Sequence, residues 1–118
     1  MPIDASPEKA PLEPVDILLI EDDEVDVKWV RRALKDSPGF RLTPVSDLAG
    51  ALKILAAGSF DVILSDLHLP DAVGLEVYEA LSRQEPETPI VLLTGSVLDE
   101  AKAMEAISQG AQDYLIKG

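Results

Sequence analysis

Four apolar runs in this chain each lead into groups able to do chemistry: Ile17–Ile20 into Glu21-Asp22-Asp23, Val62–Ser65 into Asp66, Ile90–Leu93 into Thr94-Gly95-Ser96, and Tyr114–Ile116 into Lys117. If the four runs are parallel strands of one sheet, the acids, the hydroxyl and the ammonium gather along one edge. Open α/β sheets bind ligands outside the carboxyl ends of their strands. Carboxylates held together repel one another, so one pKa rises unless a cation joins them. Glu21, Asp22 and Asp66 therefore call for a hard divalent ion. Mg²⁺ suits them, because it accepts few carboxylates and keeps several waters.

A metal beside Asp66 points to phosphoryl chemistry, in which catalysis is mostly positioning and electrostatic stabilisation of the equatorial oxygens. Asp66 is the nucleophile, as carboxylates are in aspartyl-phosphate chemistry. The metal takes one phosphoryl oxygen, Lys117 a second, and the Thr94 hydroxyl donates to a third. Each residue also has a plain structural reading. Asp66 can end a strand at the surface, Glu21 and Asp22 can cap a helix, Thr94 can cap a strand, and Lys117 can be solvated. Their coincidence at the ends of different strands favours the chemical reading.

The elements that must position these groups follow from the pattern of the chain. Pro2, Pro7, Pro11 and Pro14 exclude a helix interior, so residues 1–14 read as a flexible proline-rich leader and 15–118 as one domain. Ile17–Ile20 is continuously apolar, as a strand covered on both faces should be. A helix is expected from about Glu24 to Lys35, acidic in its first turn and basic toward its end as the helix dipole favours. Phe40–Val45 is a weaker strand whose Pro44 assigns it to a sheet edge. Asp47 caps a helix with Leu48, Ala51, Leu52, Leu55 and Ala56 on one stripe, and Gly58 closes it. Further helices are expected at Val73–Arg83 and Asp99–Gln109, with a last strand at Asp113–Ile116. This alternation predicts an α/β fold, a doubly wound parallel five-stranded sheet with helices on both faces. An edge position for the second strand suits the flavodoxin-like order 2-1-3-4-5.

The 118 residues admit one domain with one core. The absence of cysteine excludes disulfides, thiolate chemistry and Cys-based zinc sites, and His68 is the one histidine. No apolar run approaches the ~20 residues that span a bilayer, and no signal-like segment opens the chain. A cytoplasmic protein without membrane contact is expected. The formal net charge of −12 argues against nucleic-acid binding.

These residues give the chain its resemblance to the receiver domain of the two-component response-regulator family, across roughly residues 16–117. The match lies in the acidic pair Glu21-Asp22, the Asp-x-x-x-Pro-x-x-x-Gly pattern of Asp66, Pro70 and Gly74, the hydroxyl Thr94, the aromatic Tyr114 and Lys117. The resemblance implies a phosphorylation switch rather than a turnover enzyme. A histidine kinase or phosphotransfer protein would donate its phosphoryl group to Asp66. Mg²⁺ would be held by Asp22, Asp66 and the His68 backbone carbonyl, with Glu21 reaching it through water. Thr94 would move toward the phosphoryl group and Tyr114 would turn inward. The His68 side chain and Ser96 would tune the phosphoryl lifetime. By the same analogy, the surface around Lys102, Glu105 and Tyr114 would meet partners.

Two features depart from the family pattern. Gly118 follows Lys117 where a cis-proline is usual, and a cis bond there would cost ~3 kcal/mol or more, so a trans bond is expected. The residues stop where the family's fifth helix should begin, so a receiver domain truncated before that helix is expected, and its absence would leave an apolar face bare. A fragment of a longer protein, or a homodimer through that face, is the expected consequence.

The alternative function is a receiver-like interaction module that works without phosphorylation. A haloacid-dehalogenase-like phosphatase would want a second aspartate where His68 stands. A nucleotide-binding fold would want glycines where Glu21-Asp22-Asp23 stands.

Overall fold

The computed structural model describes residues 14–37 and 39–117. Its elements run β1 (Val15–Ile20), α1 (Glu24–Leu34), β2 (Phe40–Val45), α2 (Leu48–Ala57), β3 (Val62–Asp66), β4 (His68–Leu69), β5 (Ala72–Val73), α3 (Leu75–Gln84), β6 (Ile90–Thr94), α4 (Val97–Ser108) and β7 (Asp113–Ile116). Five strands form a parallel sheet in the order β2-β1-β3-β6-β7. Counting only the strands of that sheet, this is the expected order 2-1-3-4-5. Pro44 sits in the edge strand β2, opposite Leu19, where its missing N–H costs no internal ladder bond.

The apolar runs form the central strands because both faces of the sheet are covered. On one face Leu18, Ile20, Ile63 and Leu92 pack against Ala51 and Leu55 of α2, Val77 and Leu81 of α3, and Ala103 and Ala106 of α4. On the other, Ile17, Leu19, Leu64 and Leu93 pack against Val30 of α1. The described residues contain four helices, and α1 alone lies on that second face. Beside it an apolar groove of about 230 Å³ runs between Trp29, Leu34, Val62, Val91 and Leu115. This is the face that the sequence reading leaves bare. Among the described residues no helix is long and apolar enough to cross a membrane.

Two helix starts differ from the sequence reading. The third helix begins at Leu75 rather than Val73, because Ala72–Val73 pairs antiparallel with His68–Leu69 around a turn at Pro70-Asp71. Gly74 then takes a φ of +67°, a left-handed conformation that excludes it from the helix and favours glycine. The fourth helix begins at Val97 rather than Asp99, because the Ser96 hydroxyl accepts the Asp99 N–H and caps the helix earlier. The leader, apart from Pro14, and the bond to Gly118 lie outside the described residues.

Candidate functional site

The carboxyl edge of the sheet brings Glu21, Asp22, Asp66, Thr94 and Lys117 to the ends of β1, β3, β6 and β7. Asp66 is the last residue of β3 and is buried. Its Oδ1 accepts the backbone N–H of His68 at 3.2 Å, and its Oδ2 accepts Lys117 Nζ at 2.8 Å. Glu21 is buried and Asp22 exposed. The chain turns sharply after β1 because Glu21 Oε2 accepts the Asp23 N–H at 3.1 Å, while Asp23 caps α1 by accepting the Val25 N–H.

One carboxylate oxygen from each of Glu21, Asp22 and Asp66 lies within 4.8 Å of the others. Glu21 Oε1 is buried and receives no well-directed hydrogen bond; its near neighbour is Lys117 Nζ at 3.1 Å. Burial raises the Glu21 pKa to about 7, against the pull of the Asp23 N–H and the Lys117 ammonium. The neighbouring Asp66 carboxylate adds a smaller upward push. An under-satisfied buried oxygen among hard oxygen donors fits a divalent ion such as Mg²⁺.

Lys117 carries the positive charge of the site. Burial works against its ammonium, but hydrogen bonds to Asp66 and Asp26, with Glu21 close by, outweigh that and hold its pKa above the ordinary lysine range. Asp26 Oδ2 lies 2.9 Å from Nζ. Asp26 lies in the first turn of α1, where an acid is ordinary because it suits the helix dipole, so sequence reasoning passed over it.

Thr94 is fully buried at the end of β6, and its hydroxyl donates to the Leu115 carbonyl of β7 at 3.3 Å. Its side chain is thus engaged with the strand that carries Tyr114. Tyr114 is half-buried and packs against the larger core. Its phenol donates to Glu100 Oε2 at 3.2 Å, which raises its pKa.

The His68 ring does not hang free over the cleft. Its Nε2 bonds Asp99 Oδ1, and Asp99 also accepts the Gly95 N–H at 3.3 Å. This buried acid ties the loop after Asp66 to the loop after Thr94. Sequence reasoning missed Asp99 because first-turn helix acids are ordinary and a partner so distant in sequence leaves no local signature. The Ser96 hydroxyl is committed to the α4 cap.

Comparison with known proteins matches residues 17–118 to the response regulator receiver domain. The DNA-binding transcriptional regulator NtrC of Escherichia coli (strain K12) is 33% identical over 102 residues, covering 86% of this chain and 21% of NtrC. Regulatory protein VirG of Agrobacterium fabrum (strain C58) is 30% identical over 105 residues, covering 89% of this chain and 41% of VirG. The chain therefore spans about a fifth to two fifths of the curated relatives it matches.

Among solved structures, the signal receiver domain of an HD domain-containing protein from Pseudomonas fluorescens Pf-5 superposes with a TM-score of 0.78. The two share 29% identity over 92% of this chain and 79% of that one. The receiver domain of a sensor histidine kinase from Pseudomonas aeruginosa PAO1, solved with a magnesium ion coordinated in its active-site cleft, gives a TM-score of 0.74. It shares 32% identity over 88% of this chain and 85% of that one.

Proposed function

The chain belongs to the response regulator receiver domain family, and from that premise we propose that Asp66 accepts a phosphoryl group from a histidine kinase or phosphotransfer protein. The observation that carries this reading is the pairing of the buried Asp66 carboxylate with Lys117 at 2.8 Å, beside the acids Glu21 and Asp22. Two-component signalling depends on phosphorylation, and receiver domains are in general switches rather than turnover enzymes.

In the proposed reaction an Asp66 carboxylate oxygen attacks phosphorus in line. A P–O bond forms, the P–N bond of the donor phosphohistidine breaks, and its electron pair stays on the imidazole nitrogen. The product is an acyl phosphate on Asp66. Glu21, Asp22, Asp66 and the His68 carbonyl would hold Mg²⁺, Glu21 through water. Bound there, the ion supplies positive charge that offsets the phosphoryl oxygens. Lys117 neutralises a further oxygen, and the His68 N–H stands ready beside the carboxylate.

The conformational reading concerns Thr94 and Tyr114. A Thr94 hydroxyl that donates to a phosphoryl oxygen must leave the Leu115 carbonyl, which it meets at 3.3 Å. That exchange alters the β6–β7 contact beside Tyr114, whose phenol gives up Glu100 to turn inward. Partners would sense the surface around Lys102, Glu105 and Tyr114. His68, held by Asp99, restricts water entering between the two loops and so sets the phosphoryl lifetime; Ser96 acts on the same loop through its cap.

Incubation with Mg²⁺ and phosphoramidate, a P–N donor, tests the reading by intact mass. One added phosphoryl group is expected, lost with a chelator and in Asp66→Asn. A folded protein that stays unmodified would refute the assignment.

A further inference from the structure

We infer that Asp26 is a positioning residue for Lys117, holding its ammonium at rest and competing with the phosphoryl group for it. This inference rests on the reading of Asp66 as the acceptor. Lys117 Nζ lies 2.8 Å from Asp66 Oδ2, 2.9 Å from Asp26 Oδ2 and 3.1 Å from Glu21 Oε1. An ammonium has three donors and no acceptor; Asp66 and Asp26 take two of them in well-directed hydrogen bonds, and Glu21 Oε1 crowds the third without one. A phosphoryl oxygen must share the ammonium with these carboxylates, and it engages Lys117 fully only when one of them gives way.

Asp26 is the acid placed to give way. Glu21 and Asp66 sit at strand ends, with side chains 1% and 7% exposed, whereas the Asp26 side chain is 26% exposed on α1. Water can therefore take over its hydrogen bonds. Asp26 also stands outside the trio of acids whose oxygens converge within 4.8 Å. It contributes negative charge to the neighbourhood of an incoming anion without belonging to the candidate metal ligands. Its two effects act in the same direction: it draws the ammonium away from the phosphoryl oxygens and it repels them.

The test compares Asp26→Asn and Asp26→Glu with the parent chain, following phosphoramidate labelling and phosphoryl loss by intact mass at saturating Mg²⁺, with thermal melting as the control for folding. Asp26→Asn keeps the size and removes the charge, so labelling should be severalfold faster and the phosphoryl group should persist longer. Asp26→Glu restores the charge and should return both rates toward the parent. If Asp26→Asn does not fold, Asp26→Ser carries the same expectation. A parent chain that labels normally beside neutral variants of equal or slower rate would overturn the inference while leaving the acceptor assignment standing. An unlabelled parent chain would overturn both.

Discussion

Lys117 Nζ lies 2.8 Å from Asp66 Oδ2, although the two residues are 51 positions apart in the chain. The ammonium is thus already beside the carboxylate before any phosphoryl group arrives, and transfer needs no assembly of the pair. Replacing the lysine with the uncharged Lys117→Met removes one preorganised electrostatic partner, a change that typically costs about 10²–10³ in rate. Phosphoramidate labelling should slow by about 10²-fold. An unchanged rate would show the lysine to be structural.

Metal binding should be visible as stability. A ligand that binds only the folded chain adds about 2.7 kcal/mol at a hundredfold excess over its Kd, which moves the melting temperature of a domain this size by roughly 10 °C. Mg²⁺ should raise Tm, a chelator should reverse the rise, and Asp22→Asn should abolish most of it. Differential scanning fluorimetry checks all three.

The Thr94 hydroxyl and Tyr114 should respond together. Thr94→Val keeps the shape of the side chain but removes its hydroxyl. Labelling at Asp66 should persist in this variant, slowed severalfold, while the backbone resonance of Tyr114 no longer shifts on phosphorylation. NMR of the labelled and unlabelled protein checks this, and a preserved Tyr114 shift would disconnect the two residues.

The hairpin after Asp66 should make stability sensitive to acid. The Asp71 carboxylate accepts the N–H groups of Leu48 and Ala49 at 2.9 Å each, and these bonds lower its pKa below 3.8. A lowered folded pKa means that the unfolded chain binds the proton more readily. The stabilisation is therefore present above pH 3.8 and is lost as pH falls through the folded value. Asp71→Ala should lower Tm by a few degrees at neutral pH, and the gap to the parent chain should close in strong acid. Parallel melting curves across pH measure it.

Much of this was legible in the sequence because buried parallel strands appear as unbroken apolar runs, and the groups that end them share one edge of the sheet. Pro44 marked the edge strand for a local reason, its missing donor. The hairpin of His68–Leu69 and Ala72–Val73 was illegible, since strands of two residues are too short to show a period. The start of α4 was obscured because Val97 and Leu98, 81% and 80% exposed, give the first turn no apolar stripe. Asp26 and Asp99 act through partners on other elements, and those pairings depend on tertiary placement.

The most direct measurement locates the phosphoryl group. Borohydride reduces an aspartyl phosphate to homoserine, so the chain would be labelled with phosphoramidate and Mg²⁺, reduced, and mapped by peptide mass spectrometry. Homoserine at position 66, absent without the donor or in the presence of a chelator, is the predicted result. Homoserine at another acid, or none in folded protein, would contradict the assignment of Asp66 as the acceptor.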